Sequence, residues 1–129
     1  MKFNSLIPEL SVSDIEATRH FYLDVLQFTL EYERPEELFL FISCEGNQLM
    51  LEQENGHWST GPLEHPYGRG INFEMTVSDV EGLYQRVLDA GIVPFRELSV
   101  SRYETGTEVL TQKQFLVQDP DGYLLRFTD

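Results

Sequence analysis

Polar and apolar residues alternate over positions 6–12, with Pro8, Leu10 and Val12 on one face and Ile7, Glu9 and Ser11 on the other. That is the period of a strand with a core side and a second, mixed side. The period then changes. Ile15, Thr18, Phe21, Tyr22 and Val25 recur at helical spacing behind Asp14, so the pattern predicts an amphipathic helix of about three turns with Asp14 as its N-cap. A short strand is predicted over 28–33, a turn at Arg34-Pro35-Glu36-Glu37 and an apolar strand over 38–43. A hairpin turn at Glu45-Gly46-Asn47 and a return strand over 48–53 complete the unit.

The same script recurs. Residues 9–24 align without gaps on 74–89, and the pairs Glu9/Glu74, Val12/Val77, Ser13/Ser78, Asp14/Asp79, Glu16/Glu81, Leu23/Leu88 and Asp24/Asp89 are identical. The chain of 129 residues therefore reads as one module written twice. Module one covers about 3–53 and module two 71–129. In module two a strand is predicted over 71–77, with Phe73, Met75 and Val77 toward the helix and Asn72, Glu74 and Thr76 opposite. Asp79 caps a helix carrying Val80, Leu83, Val87 and Leu88 and ending at Gly91. Strands are predicted over 94–100, 114–118 and 123–128, with a turn-rich loop at Glu104-Thr105-Gly106-Thr107 and a tight turn at Asp119-Pro120-Asp121-Gly122. The connector 54–70 holds Trp58, Tyr67, His57 and His65 among glycines and prolines. It is too punctuated for regular structure, and its aromatic residues are suited either to sealing the core or to lining a cleft.

Composition narrows the function classes. A net charge of −13 repels phosphate backbones, so no nucleic-acid partner is expected, while cationic ligands are favoured. No apolar run approaches the ~20 residues of a membrane span, and the start of the chain lacks a signal-peptide pattern. With Cys44 as the single cysteine, no intrachain disulfide is possible and a reducing cytoplasm is the expected setting. No Ser, Cys or Lys has a base partner marked in the sequence, so nucleophilic catalysis is not expected.

Val-x-Asp opening a helix that carries Phe21-Tyr22, the repeated βαβββ unit, and Asp119-Pro120-Asp121-Gly122-Tyr123 before a final strand together resemble the vicinal oxygen chelate superfamily. That superfamily includes glyoxalases, extradiol dioxygenases and bleomycin resistance proteins. The resemblance covers essentially the whole chain. It implies an α+β fold of two tandem βαβββ modules whose curled mixed sheets enclose a cleft, and a homodimer. In its metal-dependent members, ligands lie seven residues before the helix-capping Asp of each module and on the last strand of each. Those positions here hold Ile7, Asn72, Arg126 and, near enough, Met50. Apolar, amide, guanidinium and thioether groups do not make a site for a divalent ion. The expectation is no metal and no other cofactor. Glu9, Glu52, Glu74, His57 and His65 are the remaining donors, and none shows a ligand spacing.

Without metal ligands the pattern is most similar to the bleomycin resistance proteins, which sequester a cationic glycopeptide without chemistry. Stacking on planar rings needs aromatic walls, for which Tyr32, Phe39, Trp58, Tyr67 and Tyr103 are candidates, Phe39 being better suited to the core. A cation needs carboxylates, for which Glu9, Glu31, Glu36, Glu37 and Glu74 are available. Glu36 and Glu37 would also be ordinary solvated turn residues. Met50, Asn72 and Arg126 are expected in the same cleft, and Arg126 is equally placed to neutralise Glu74 in a purely structural pair. The alternatives are a divergent metal-dependent glyoxalase-like lyase or dioxygenase, and a partner-binding module that kept the fold and lost the site.

Overall fold

The computed structural model describes residues 2–129. Strand β1 (Glu9–Val12) leads into helix α1 (Ile15–Arg19), where the Asp14 carboxylate accepts hydrogen bonds from the Glu16 and Ala17 N–H groups at 3.0 and 3.4 Å. The helix runs on through His20–Val25, but its coil widens: the Leu26 N–H reaches back five residues to the Phe21 carbonyl. Phe21, Tyr22, Val25 and Leu26 are all buried there. Strands β2 (Thr29–Arg34), β3 (Phe39–Cys44) and β4 (Asn47–Gln53) complete the first sheet, in the order β1-β4-β3-β2. The second half repeats this plan with β5 (Asn72–Thr76), helix α2 (Val80–Asp89), β6 (Arg96–Glu104), β7 (Val109–Gln118) and β8 (Leu124–Thr128), ordered β5-β8-β7-β6. In each sheet the first strand pairs in parallel with the last, and the other pairs are antiparallel.

One face of each sheet is covered by helix. Leu10, Val12, Leu40, Ile42, Leu49 and Leu51 of the first sheet join Met75, Phe115, Val117, Leu125 and Phe127 of the second in a continuous core with both helices. The opposite, helix-free faces are left to line whatever site the molecule has. Among the described residues no helix is long and apolar enough to cross a membrane.

Two equivalent latches lock the halves together. The Glu45 carboxylate, in the turn between β3 and β4, accepts the Ser78 N–H at the start of α2, with oxygens at 3.0 and 3.2 Å. The Asp121 carboxylate, in the turn between β7 and β8, accepts the Ser13 N–H at the start of α1 at 3.0 Å. Ser13 and Ser78 are a repeated pair, so each half presents an N–H that the other half's turn satisfies. The Asp119 carboxylate organises its own turn. It accepts the Asp121 and Tyr123 N–H groups at 2.9 and 3.0 Å and the Tyr22 hydroxyl at 2.8 Å.

The sequence pattern underestimates one element. The loop expected around 104–107 is only the tip of a long hairpin, because β6 runs to Glu104 and β7 starts at Val109. The period-two signal fails there, since almost every side chain from 99 to 112 is outside the core and burial imposes no alternation.

Candidate functional site

Strand register sets which side chains share the open face of the first sheet. Tyr32 on β2 pairs with Phe41 on β3, Phe41 with Met50 on β4, and Met50 with Glu9 on β1. Beside this row lies a second, of Arg34, Phe39, Glu52 and Ser11. An irregularity in β2 between Leu30 and Tyr32 brings Glu31 onto the same face, where it accepts the Ser43 hydroxyl at 2.7 Å. The rings form a wall. Tyr32 and Phe41 stack with centroids 5.2 Å apart and planes 6° from parallel, and Phe3 meets Phe41 edge-on at 5.4 Å. The Arg34 guanidinium lies 3.8 Å from the Phe39 ring centroid while its Nε donates to Glu37 at 2.6 Å. Phe41 and Phe39 are 0% and 1% exposed, with Phe3, Tyr32 and Arg34 against them, so Tyr32 is the partly exposed ring of this wall and the chain's own Arg34 is the planar cation on Phe39.

Carboxylates close the other side. Burial pushes the Glu9 carboxyl up from its ordinary range, and the neighbouring Glu52 adds to this, while Arg34 and a hydrogen bond from Trp58 pull it back. Trp58, itself 66% exposed, thus reaches from the connector onto this face. Beyond Glu52 a depression of about 420 Å³ is lined by Glu36, Glu37, Glu52, Glu54 and His57 among others.

The open face of the second sheet is built in the same register from different chemistry. Arg96, Leu116, Arg126 and Glu74 form the row equivalent to Tyr32, Phe41, Met50 and Glu9. Arg126 Nη2 donates to Glu74 at 3.2 Å. Asn72 sits one row away opposite Leu124 and lines, with Gln48, Pro8 and Glu74, a cleft of about 300 Å³ between the two sheets.

The expected site residues divide accordingly. Glu9, Tyr32, Met50 and Trp58 come together on the helix-free face of the first sheet, and Phe39 lies on the same face but is buried, 1% exposed. Asn72, Glu74 and Arg126 are grouped on the second. Two stand elsewhere. Tyr67, expected at a cleft, is in the core instead: it is 9% exposed, meets Tyr123 edge-on at 5.8 Å and donates its hydroxyl to Glu54 at 2.9 Å. A ring in the connector has to seal the seam where the β7–β8 turn docks, and Tyr67 does so. Tyr103 is near the tip of the β6–β7 hairpin, paired with Leu110. Phe41 and Arg34 were not singled out in the sequence. Phe41 shares the parity of Phe39 and was legible from it, whereas Arg34 was hidden in a turn.

The metal positions implied by the superfamily do not fit a metal. Arg126 brings a positive charge to the second open face, Met50 offers only a thioether, and Ile7 and Asn72 supply no anionic donor. Among the described residues no three His, Cys, Asp or Glu side chains converge as a cation would require. Cys44 is half-buried, and burial with the adjacent Glu45 raises its thiol, which opposes a thiolate role.

Residues 3–127 match the model of the Glyoxalase/Bleomycin resistance protein/Dioxygenase superfamily. A superfamily member from Vibrio splendidus 12B01 is 42% identical over 93% of both chains, with a TM-score of 0.43. TioX from Micromonospora sp. ML1 is 19% identical over 98% of both chains, with a TM-score of 0.75. A glyoxalase/bleomycin resistance protein/dioxygenase from Alicyclobacillus acidocaldarius is 20% identical over 97% of this chain and 89% of its own, with a TM-score of 0.68. A comparison with curated proteins finds no match.

Proposed function

The chain belongs to the glyoxalase/bleomycin resistance protein/dioxygenase superfamily, and from that premise we propose that it is a non-catalytic binding protein. It sequesters a cationic aromatic small molecule, of the bleomycin class, and works as a homodimer. The observation that carries this is the helix-free face of the first sheet, where the partly exposed Tyr32, backed by the buried Phe41 and Phe39, stands in the same two rows as Glu9 and Glu52. Two carboxylates sharing a partly dry face repel each other, and among the described residues Arg34 and Trp58 relieve Glu9. A planar cation relieves both at once and gains stacking area on Tyr32. The depression lined by Glu36, Glu37, Glu52 and Glu54 extends the acidic surface for a positively charged tail. The donor set at the superfamily's metal positions supports binding without metal chemistry.

Titration with metal-free and copper-loaded bleomycin tests it, followed by the fluorescence of Trp58, the only tryptophan, and by calorimetry. Saturation at one ligand per chain with unchanged antibiotic recovered is the expected result. Glu9→Gln should weaken binding about tenfold, on the order of 1.4 kcal/mol. Because the bound cation favours ionised carboxylates, affinity should also fall as pH is lowered through the carboxylate range. A folded protein that gives neither heat nor a fluorescence change with either form of the antibiotic overturns the proposal.

A further inference from the structure

The two halves differ on their helix side, away from both open faces. In the alignment of 9–24 on 74–89, Phe21 stands where α2 carries Arg86. The Arg86 side chain lies against the first half. It is close enough to Cys44, at the end of β3, to act on its thiol, and its Nη2 donates to the Leu26 carbonyl at 3.3 Å. Its Nε is buried. The seam between α2, the end of the first helix and the β3–β4 turn is therefore filled by an aliphatic stem with a guanidinium at its tip.

No side chain fills the matching seam of the second half. Phe21 turns inward, 4% exposed and edge-on to Tyr22 at 5.1 Å. Beside it is a hollow of about 430 Å³ between the first helix, the end of α2 and the β7–β8 turn, lined by Ala17, Phe21, Val25, Ala90, Ile92 and Asp119, with His20 among the rest. The two seams correspond closely. Leu26 and Ala90 each precede the left-handed residue that ends their helix, Gln27 (φ 61°) and Gly91 (φ 76°). The Leu26 carbonyl accepts Arg86, whereas the Ala90 carbonyl accepts no hydrogen bond from the described residues.

We propose that this hollow is a binding site for a free alkylguanidine, its stem between Ala17, Phe21 and Ile92 and its guanidinium toward Ala90 and Asp119. The chemistry of the occupant is read from the chain itself, since Arg86 has this form in the other seam. Charge agrees with it. No Lys or Arg lines the hollow, and Asp24, hydrogen-bonded to His20 at 2.9 Å, brings a second carboxylate beside that of Asp119. The Asp119 oxygens accept three hydrogen bonds, from the Asp121 and Tyr123 N–H groups and the Tyr22 hydroxyl. A carboxylate has about four lone-pair sites, so one remains for a guanidinium N–H. The hollow is in the size range of small-molecule sites, roughly 300–1,000 Å³. It is separate from the face assigned to the antibiotic.

Amide proton–nitrogen NMR with n-butylguanidine tests the site, with guanidinium ion as the stemless control and n-pentanol as the uncharged one. Saturable shifts at millimolar concentration are expected for the amides of Ala17, Phe21, Ala90 and Ile92, with both controls weaker by about tenfold or more. Ala17→Leu puts bulk into the hollow from an exposed helix position. It should weaken n-butylguanidine about tenfold with far-UV circular dichroism unchanged, while the bleomycin titration read on Trp58 stays as in the wild type. Glu9→Gln, on the first sheet, should leave n-butylguanidine binding unaltered, so the two sites fail or stand separately. Shifts that do not saturate, shifts confined to β1–β4, equal affinity for either control, or wild-type affinity in folded Ala17→Leu each overturn the proposal.

Discussion

At the scale of single residues, the most consequential side chain outside the candidate site is Asp119. It is 4% exposed, and burial raises its carboxyl to about 6, outweighing the three hydrogen bonds that favour the anion. A carboxyl raised in the folded state favours folding when protonated. Its contribution is complete below the ordinary value of 3.8 and is lost as pH rises through about 6. At ~1.4 kcal/mol per pH unit the whole effect is on the order of 3 kcal/mol. Urea unfolding of the wild type and Asp119→Asn should therefore show the difference moving in the wild type's favour as pH falls from 8 to 4. A constant difference, or one of opposite slope, would mean that the Tyr22, Asp121 and Tyr123 donors outweigh burial. The sequence marked Asp119 only as part of a tight turn. Nothing in its local pattern announces Tyr22 as a partner, because 97 residues separate them.

Among the elements, the β7–β8 turn is packed against backbone that leaves no room for a side chain. Gly122 has φ +97°, and a Cβ there would lie 2.5 Å from Pro66 Cβ and 2.6 Å from Pro66 Cα. Gly46 occupies the matching turn with φ +85°, but a Cβ there meets nothing within 4 Å. Gly46→Ala should accordingly cost about 1 kcal/mol from backbone strain alone, and Gly122→Ala at least ~2–3 kcal/mol because strain and overlap add. Equal losses for the two in denaturant unfolding would show that the connector yields around Gly122. Element type and order were largely legible. Alternation located β1 and β5, an apolar run located β3, the flanking turns located β4 and β8, and Asp14 and Asp79 marked both helix starts, because a buried face imposes a pattern wherever a core exists. The widening of the coil at His20–Val25 and the length of the β6–β7 ribbon were not legible. The first leaves the apolar positions close to helical spacing, and the second buries too little to impose a pattern.

For the whole molecule, the two halves share one core and exchange the Glu45–Ser78 and Asp121–Ser13 hydrogen bonds. Neither half should persist alone. Thermal unfolding at fixed protein concentration should give one transition with coincident midpoints for Trp58 fluorescence and far-UV circular dichroism. Separate midpoints would identify the halves as independent units. The same scale explains why the candidate site was only half legible. Glu9, Tyr32 and Met50 lie on three different strands, and only register makes them neighbours. Tyr67 and Trp58, nine positions apart in one connector, go respectively to the core and to the open face.

What the sequence determined by itself is the repeat, the βαβββ order of each half, and the absence of suitable donors at the superfamily's metal positions. These are local or comparative facts, carried by spacing, periodicity and residue type. The tertiary structure decided which side chains meet: the aromatic wall beside Glu9 and Glu52, the Arg126–Glu74 pair opposite in character, the burial of Asp119 and the long β6–β7 ribbon. Each depends on contacts or solvent exclusion between segments distant in the chain, and local periodicity does not encode the pairing of distant segments.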